Sequence, residues 1–242
     1  MLKFNNKEKN IYFKNYYKNN TTYAPYESVI VFFIKKFKEI IFRKNAKNIN
    51  IFEFGSGNGN NIIFIIFFIL GIKKFNFFYD FKEKYINLLK FNIFFLENNK
   101  LALKKFTLLI NKILKLSRQN NTTFGNIAIN IKYSSLPKNI DIFFDRNSLL
   151  QHTSKKITKI FIKKLYQNMN NNGSGFISVA GKNHYSIKSI HRHSFNTYSK
   201  NEILVLLKDF YIEEFHEINK SIKKNDMTYS TCGYEVIFSK RS

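Results

Sequence analysis

The amino-acid sequence predicts a doubly wound α/β fold, with a mostly parallel sheet of seven strands and an antiparallel C-terminal strand. Segments with strand and helix patterns alternate over most of the 242 residues, which favours parallel strands joined by helices. Three glycines also stand between the first of these strands and the helix after it. A chain of this length has room for one full α/β core.

The first half of the chain supplies two strands and their helices. Apolar residues recur at helical spacing in the first segment, and short β-prone runs separate the later helices. The pattern predicts, in order, a helix over 26–44, a strand over 48–54, a helix over 60–70, a strand over 74–79 and a helix over 82–98.

The second half supplies the remaining strands and closes on an antiparallel pair. The Asn-rich segment 95–125 is interpreted as a variable insertion with a helix over 101–116, and the polar residues 1–25 as an arm before the domain at 26–242. The remaining pattern predicts strands over 126–133 and 140–144, a helix over 154–168, a strand over 176–180, a helix over 199–208, and strands over 211–218 and 234–239.

The chain is strongly basic, with 40 lysines and arginines against 16 acids, a net charge of +24. Such a surface attracts polyanions such as RNA. The abundance of Lys, Asn, Ile and Phe also fits A/T-rich codon usage, and the lysines are scattered rather than gathered in one tract. The charge alone therefore does not identify a nucleic-acid partner.

Cys232 is the one cysteine of the chain, so an intramolecular disulfide and a thiolate zinc cluster are excluded. This usage predicts a cytoplasmic protein, in which Cys232 is inert. The N-terminus shows no secretory signal pattern, and the apolar run 62–72 is shorter than the ~20 residues that cross a bilayer. We therefore expect no membrane association, and the oligomeric state stays open.

The segment Glu53-Phe54-Gly55-Ser56-Gly57-Asn58-Gly59 lies between a predicted strand and a predicted helix. Its glycines permit a tight turn and a close approach of a ligand to the backbone. The spacing is G-x-G-x-G, so neither the dinucleotide fingerprint nor the Walker loop is met. Asp80, at the end of the next predicted strand, is placed to accept hydrogen bonds from ribose hydroxyls. Together these features predict a nucleoside ligand.

At these residues the chain resembles the class I S-adenosylmethionine-dependent methyltransferases, over roughly residues 12–240. Glu53 to Gly59 matches the first family motif, E/D-x-G-x-G-x-G, and the segment 141–152 resembles the fourth motif of bacterial members without an assigned substrate. The resemblance implies a Rossmann-like methyltransferase fold with S-adenosyl-L-methionine as cofactor. It implies cofactor contacts from Glu53, Gly55, Ser56, Gly57, Asn58, Gly59, Asp80, Phe81, Tyr133, Ser134, Asp145 and Arg146.

One position departs from the family pattern. Lys132 stands where an acid often accepts a hydrogen bond from the adenine amino group, and a lysine side chain has no acceptor. Adenine contact would then come from the backbone or from Tyr133 and Ser134. Asp145 and Arg146 also have alternatives, in which Asp145 caps the next helix and Arg146 pairs with Glu53.

His152 is the candidate general base, because the resemblance places it just after the fourth strand. Its alternative is a structural or capping histidine. Three further histidines in one loop lack an acid or thiolate partner, so we expect a solvated loop and no metal site. They are His184, His191 and His193. A second expectation, an N-terminal lid over the active site, rests on Tyr16, Tyr17, Tyr23 and Tyr26.

The leading functional prediction is an enzyme that methylates a small or medium cytoplasmic acceptor at oxygen or nitrogen. The basic charge leaves an RNA methyltransferase open, although no N-P-P-Y-type motif or RNA-binding domain supports it. The departure at Lys132 leaves open a non-catalytic binding or scaffold protein that keeps the fold.

Overall fold

The computed structural model of the chain describes residues 27–43, 48–69, 90–119, 128–133, 136–182, 196–224 and 227–241. Several predicted features lie outside them. These are the arm with its tyrosines, the strand over 74–79, Asp80, Phe81, Ser134 and the three loop histidines.

Residues 13–137 form one compact unit built on a parallel sheet. Its elements are α1 (Glu27–Arg43), β1 (Asn48–Phe54), α2 (Asn60–Ile69), β2 (Lys90–Leu96), α3 (Lys100–Gln119) and β3 (Ala128–Tyr133). The strands have the order β3-β2-β1. Asn48 pairs with Lys90, and Lys90 pairs with Ala128 on its other side. All three strands therefore end at the same edge, where their carboxyl ends meet.

The core of this unit is rich in phenylalanine. α1 buries Phe33 and Phe37, whose ring centroids lie 5.4 Å apart, and Phe37 stacks on Phe91 of β2 at 5.7 Å. α2 buries seven of its ten residues, including Ile62 and Ile66. Aromatic pairs at these distances add to the free energy gained by burying apolar area, so α1 and α2 are held firmly against the sheet.

Residues 138–242 form the second unit. Its elements are β4 (Ile140–Arg146), α4 (Leu149–His152), α5 (Lys155–Asn168), β5 (Met169–Ala180), α6 (Lys200–Leu206), β6 (Tyr211–Lys224) and β7 (Met227–Ser239). The strand order is β4-β5-β7-β6. β4 and β5 are parallel, and β7 pairs antiparallel with both β5 and β6.

The predicted fold class is confirmed: the seven described strands are mostly parallel and end in an antiparallel C-terminal pair. The prediction of a helix over 82–98 is wrong for 90–96, which form β2. Burial there alternates, with Phe91, Ile93 and Phe95 on the buried face, which is the period of a strand. No helix within the described part of the chain combines the length and apolar character required to cross a membrane.

β5 begins at Met169, seven residues before the predicted start, although the sequence there carries turn residues. Gly175 lies inside the strand because the ring of Phe238 on β7 occupies the space above it. A Cβ at Gly175 would stand 2.3 Å from that ring. This glycine therefore serves a close approach between neighbouring strands rather than a turn.

Candidate functional site

The glycine loop (residues 55–59) joins the end of β1 to the start of α2. Gly55, Gly57 and Gly59 have φ of 69°, 55° and 78°. This left-handed conformation costs a residue with a Cβ about 1–2 kcal/mol. Glycine at all three positions lets the loop turn back sharply to the helix start without this cost.

Gly59 also meets a second requirement. A Cβ at this position would lie 2.0 Å from the ring of Phe106 on α3. Phe106 is buried and packs edge-on against Phe95 of β2, with ring centroids 4.7 Å apart. The last glycine of the loop thus lets α3 pack directly against the loop.

Three backbone N–H groups of the glycine loop bind the end of β2. Those of Gly55 and Ser56 donate to the Leu96 carbonyl at 2.7 and 3.3 Å. The N–H of Gly57 donates to Oε2 of Glu97 at 2.7 Å. The loop is therefore fastened to the residue that follows β2 as well as to its own strand and helix.

Glu97 is a buried carboxylate at the carboxyl end of β2, the strand beside β1. Its Oε1 accepts the N–H of Asn99 at 2.7 Å. Burial raises the pKa of Glu97, while hydrogen bonds from backbone N–H groups of Asn99 and Gly57 oppose that rise. Glu97 is thus an acid at the carboxyl end of the strand beside β1, which is the kind of position that the sequence analysis predicted for Asp80, a residue outside the described part of the chain.

Sequence reasoning missed Glu97 because the helix predicted over 82–98 hid β2. The signal was the alternation Phe91, Ile93, Phe95 followed by an acid and two asparagines. Asn99 is the cap of α3, since its Oδ1 accepts the N–H groups of Leu101 and Ala102 at 3.0 and 3.1 Å. An alternating run, an acid and a helix cap are the features of a strand that ends at a ligand-binding edge.

Two other residues of the first motif are buried at the loop. Glu53 accepts a hydrogen bond from Asn61 Nδ2 at 2.8 Å, which ties the end of β1 to the first turn of α2. The Ser56 hydroxyl is buried, and within the described residues it makes no hydrogen bond. Asn58, also expected to contact the cofactor, lies half-buried in the loop.

Asp145 follows the capping alternative rather than the cofactor-binding prediction. Its side chain is fully buried, and its oxygens accept the N–H groups of Ser148, Leu149 and Leu150 at 3.1, 2.9 and 3.4 Å. Burial raises the pKa of Asp145 to about 7. A carboxylate committed to the start of α4 has no exposed surface left for a ligand, so its predicted role in binding is withdrawn.

The remaining predicted residues lie on several elements of the two units. Arg146 is exposed at the end of β4, opposite Ser178 in the register with β5. His152 is half-buried as the last residue of α4, and its N–H donates to Ser148 at 2.9 Å. Tyr133 and Lys132 are the last two residues of β3, where the backbone is described. Cys232 is buried on β7, where it pairs with Asn219 of β6.

The described residues contain no group of three or more His, Cys, Asp or Glu side chains that could hold a metal ion. The chemistry that this part of the chain offers is hydrogen bonding. It combines a glycine loop that a ligand can approach closely, one buried carboxylate at the adjacent strand end and one buried hydroxyl.

No protein-family model matches this chain, and no curated protein matches its sequence. Its likeness is to solved structures. TehB from Haemophilus influenzae superposes with a TM-score of 0.57 at 15% identity, over 93% of this chain and 65% of TehB, so the chain spans about two thirds of that protein.

Two further structures are matched over almost their full length. The S-adenosylmethionine-dependent methyltransferase of Anabaena variabilis has a TM-score of 0.56 at 13% identity, with 99% of this chain and 96% of the other covered. That of Clostridium acetobutylicum has a TM-score of 0.53 at 11% identity, with 98% and 99% covered. Identities this low establish architecture. The chain has the Rossmann-like fold of the S-adenosylmethionine-dependent methyltransferases.

Proposed function

We propose that this protein is an S-adenosylmethionine-dependent methyltransferase that acts at an oxygen or nitrogen atom of a small or medium cytoplasmic acceptor. The observation that carries the proposal is the 2.7 Å hydrogen bond from Gly57 that joins the glycine loop to Glu97. In a methyltransferase fold, a nucleoside bound at this junction would meet both the loop and an acid.

The residues present fit the cofactor. Glu97 accepts the N–H groups of Gly57 and Asn99 at 2.7 Å, and the backbone of Asn98 also hydrogen-bonds to it. The acceptor capacity that remains on the carboxylate would receive the ribose hydroxyls. The buried Ser56 hydroxyl would hydrogen-bond the polar methionine end, which the glycines allow to come close to the backbone. Glu53 would act through Asn61, by fixing the start of α2.

When bound, S-adenosylmethionine supplies a methyl group on a positively charged sulfur. The chain's own task is to hold the acceptor in line with that group and to exclude water. His152 would take the proton from the acceptor oxygen or nitrogen, since an imidazole titrates near neutral pH. Arg146, exposed at the end of β4, would meet the charged end of the cofactor.

Adenine recognition stays a prediction. With Lys132 in place of an acid, the backbone after β3, together with Tyr133 and Ser134, would supply the acceptors and donors for the base. Asp80 and Phe81, in the segment before β2, remain candidates from the resemblance. Glu97 is the residue that we place at the ribose.

An RNA methyltransferase is the second candidate, and the net charge of +24 is the observation that favours it. Exposed lysines occur on α1, α3, α5 and α6, for example Lys35, Lys104, Lys159 and Lys200. These helices lie throughout the sequence, so their lysines give no single tract for a nucleic acid. The small or medium acceptor therefore stays the first candidate.

Calorimetric titration of the purified protein with S-adenosylmethionine and S-adenosylhomocysteine tests the proposal. We expect micromolar binding of both. A screen of small hydroxyl and amine compounds, followed by RNA, should then reveal acceptor-dependent formation of S-adenosylhomocysteine. Absence of binding at millimolar ligand would refute the enzyme and leave a scaffold protein with this fold.

A further inference from the structure

The helix that carries His152 cannot be stable by itself. α4 has four residues, far fewer than the ~12–15 that an isolated helix needs in water. A helix this short also leaves its first N–H groups and last carbonyls without partners inside the helix. The position of His152 therefore depends on groups outside α4.

At the start of α4 these groups come from Asp145, whose carboxylate accepts three successive N–H groups. The side chain of Gln151 adds a second tie. In the orientation that satisfies both ends of its amide, its nitrogen donates to the Asn147 carbonyl at 3.0 Å and its oxygen accepts the Ala180 N–H at 3.1 Å. α4 is thereby joined to the end of β5.

At the end of α4 the partner is Asn196, a residue 43 positions beyond Thr153. Its N–H donates to the Gln151 carbonyl at 2.8 Å. Its Nδ2 donates to the Leu150 carbonyl at 3.3 Å and to the Thr153 carbonyl. One asparagine thus satisfies the carbonyls on either side of His152.

Asn196 is itself held in place by the residues that follow it. The N–H of Tyr198 donates to Ala180 at 3.2 Å, and Tyr198 forms a bridge with Gly181. Ser199 then begins α6 with a capping box to Glu202, which pairs with Lys155 at 2.7 Å. An anchored Asn196 can therefore fix the end of α4.

We propose that Asn196 is a positioning residue, which holds the end of α4 so that His152 keeps one orientation at the carboxyl edge of β4 and β5. The importance of this for catalysis rests on the proposed role of His152. The effect of Asn196 on the order of α4 does not depend on that role, because it can be measured in the protein without any ligand.

Amide hydrogen exchange and histidine NMR on the full chain test the proposal, with the variant Asn196→Ala. The N–H groups of His152 and Thr153, which close the bonds of α4, should exchange about tenfold faster or more, as the loss of one or two hydrogen bonds predicts. The imidazole signal of His152, assigned by its absence in His152→Gln, should change in position and in its titration between pH 5 and 9.

The matched control is Asn168→Ala. Asn168 also donates its Nδ2 to a helix-end carbonyl, that of Lys164 on α5, at 2.7 Å. Because its one bond is exposed and local, the variant should lower the melting temperature less than Asn196→Ala does, and it should leave the His152 signal unchanged. Asn196→Ser, which keeps one donor, should give exchange rates between those of wild type and Asn196→Ala. If Asn196→Ala does not fold, Asn196→Ser replaces it in the test.

Unchanged exchange and an unchanged imidazole signal in the Asn196 variants would overturn the proposal, as would an equal effect from Asn168→Ala. Titration of each variant with S-adenosylhomocysteine separates this result from the proposed function. Failure of the wild type to bind that ligand contradicts the methyltransferase and leaves the exchange result intact.

Discussion

Replacing Glu97 by glutamine changes one charge and one atom type at the junction of the glycine loop and β2. Both carboxylate oxygens accept a backbone N–H at 2.7 Å, from Gly57 and Asn99. The glutamine amide offers one acceptor and one donor, so its nitrogen must face one of these N–H groups. The variant therefore loses a hydrogen bond inside the protein and the carboxylate that we assign to the ribose.

The expected loss of affinity follows from these contacts. A hydrogen bond to a charged group contributes about 1.5–3 kcal/mol, and each 1.4 kcal/mol is a factor of ten. Glu97→Gln should weaken S-adenosylhomocysteine binding about 10- to 150-fold by calorimetry. Because burial raises the pKa of Glu97, wild-type affinity should also fall as the pH drops through that raised value, and the variant should lack this dependence.

Two controls decide the interpretation. Glu217→Gln makes the same chemical change at an exposed position on β6, and it should leave affinity unchanged. Asp80→Asn tests the residue that the sequence analysis placed at the ribose. Wild-type affinity in Glu97→Gln, together with a large loss in Asp80→Asn, would refute the assignment of the ribose to Glu97.

Three further predictions concern the glycine loop and the buried acid. Gly59→Ala should lower the free energy of unfolding, measured by urea titration, by about 2–5 kcal/mol. The alanine would combine a left-handed φ with a collision against Phe106. An effect below about 1 kcal/mol would contradict this packing. Ser56→Ala should weaken S-adenosylmethionine binding about 2- to 10-fold with little change in melting temperature, because the hydroxyl has no partner within the described residues; equal affinity would remove Ser56 from the site. Asp145 has its pKa raised from 3.8 to about 7, so the folded state binds its proton more tightly than the unfolded state does. This acid should therefore lower stability as the pH rises from about 4 to 7. Over that range the unfolding free energy of the wild type should fall relative to that of Asp145→Asn. A difference between the two proteins that does not vary with pH would contradict the raised pKa.

The order of strand, glycine loop and helix at residues 48–69 could be predicted from the sequence because local signals agree there. A β-prone run, three glycines and an apolar helix are each specific, and the φ values of Gly55, Gly57 and Gly59 show why glycine is favoured there. The antiparallel C-terminal pair could also be predicted from local signals, since no helical pattern separates β6 from β7.

The segment around β2 could not be predicted, because its residues suit two structures. Phe91, Ile93, Phe94 and Phe95 are apolar, and such a run has no unique period over seven residues. Pairing with β1 and β3 on both sides decides for a strand. The alternation of Phe91, Ile93 and Phe95 was a weak local signal beside this pairing, and the wrong helix prediction also hid Glu97.

Asp145 shows a different limit. The family motif places an acid at the end of a strand. At that position its carboxylate can accept hydrogen bonds either from a ligand or from the first N–H groups of a helix. Only the three N–H groups of Ser148, Leu149 and Leu150 decide between these roles. A short helix such as α4 makes a cap necessary, and its length was not visible in the sequence.

The bond between Gly57 and Glu97 has a consequence for the thermodynamics of ligand binding. Because the fold itself joins the loop to the acid through this bond, the conformational entropy of ordering them is lost during folding rather than during association. The ligand then meets a preorganised surface, and little of its interaction energy is spent on rearrangement. Binding should accordingly show a small heat-capacity change, and it should raise the melting temperature by the amount that mass action alone requires.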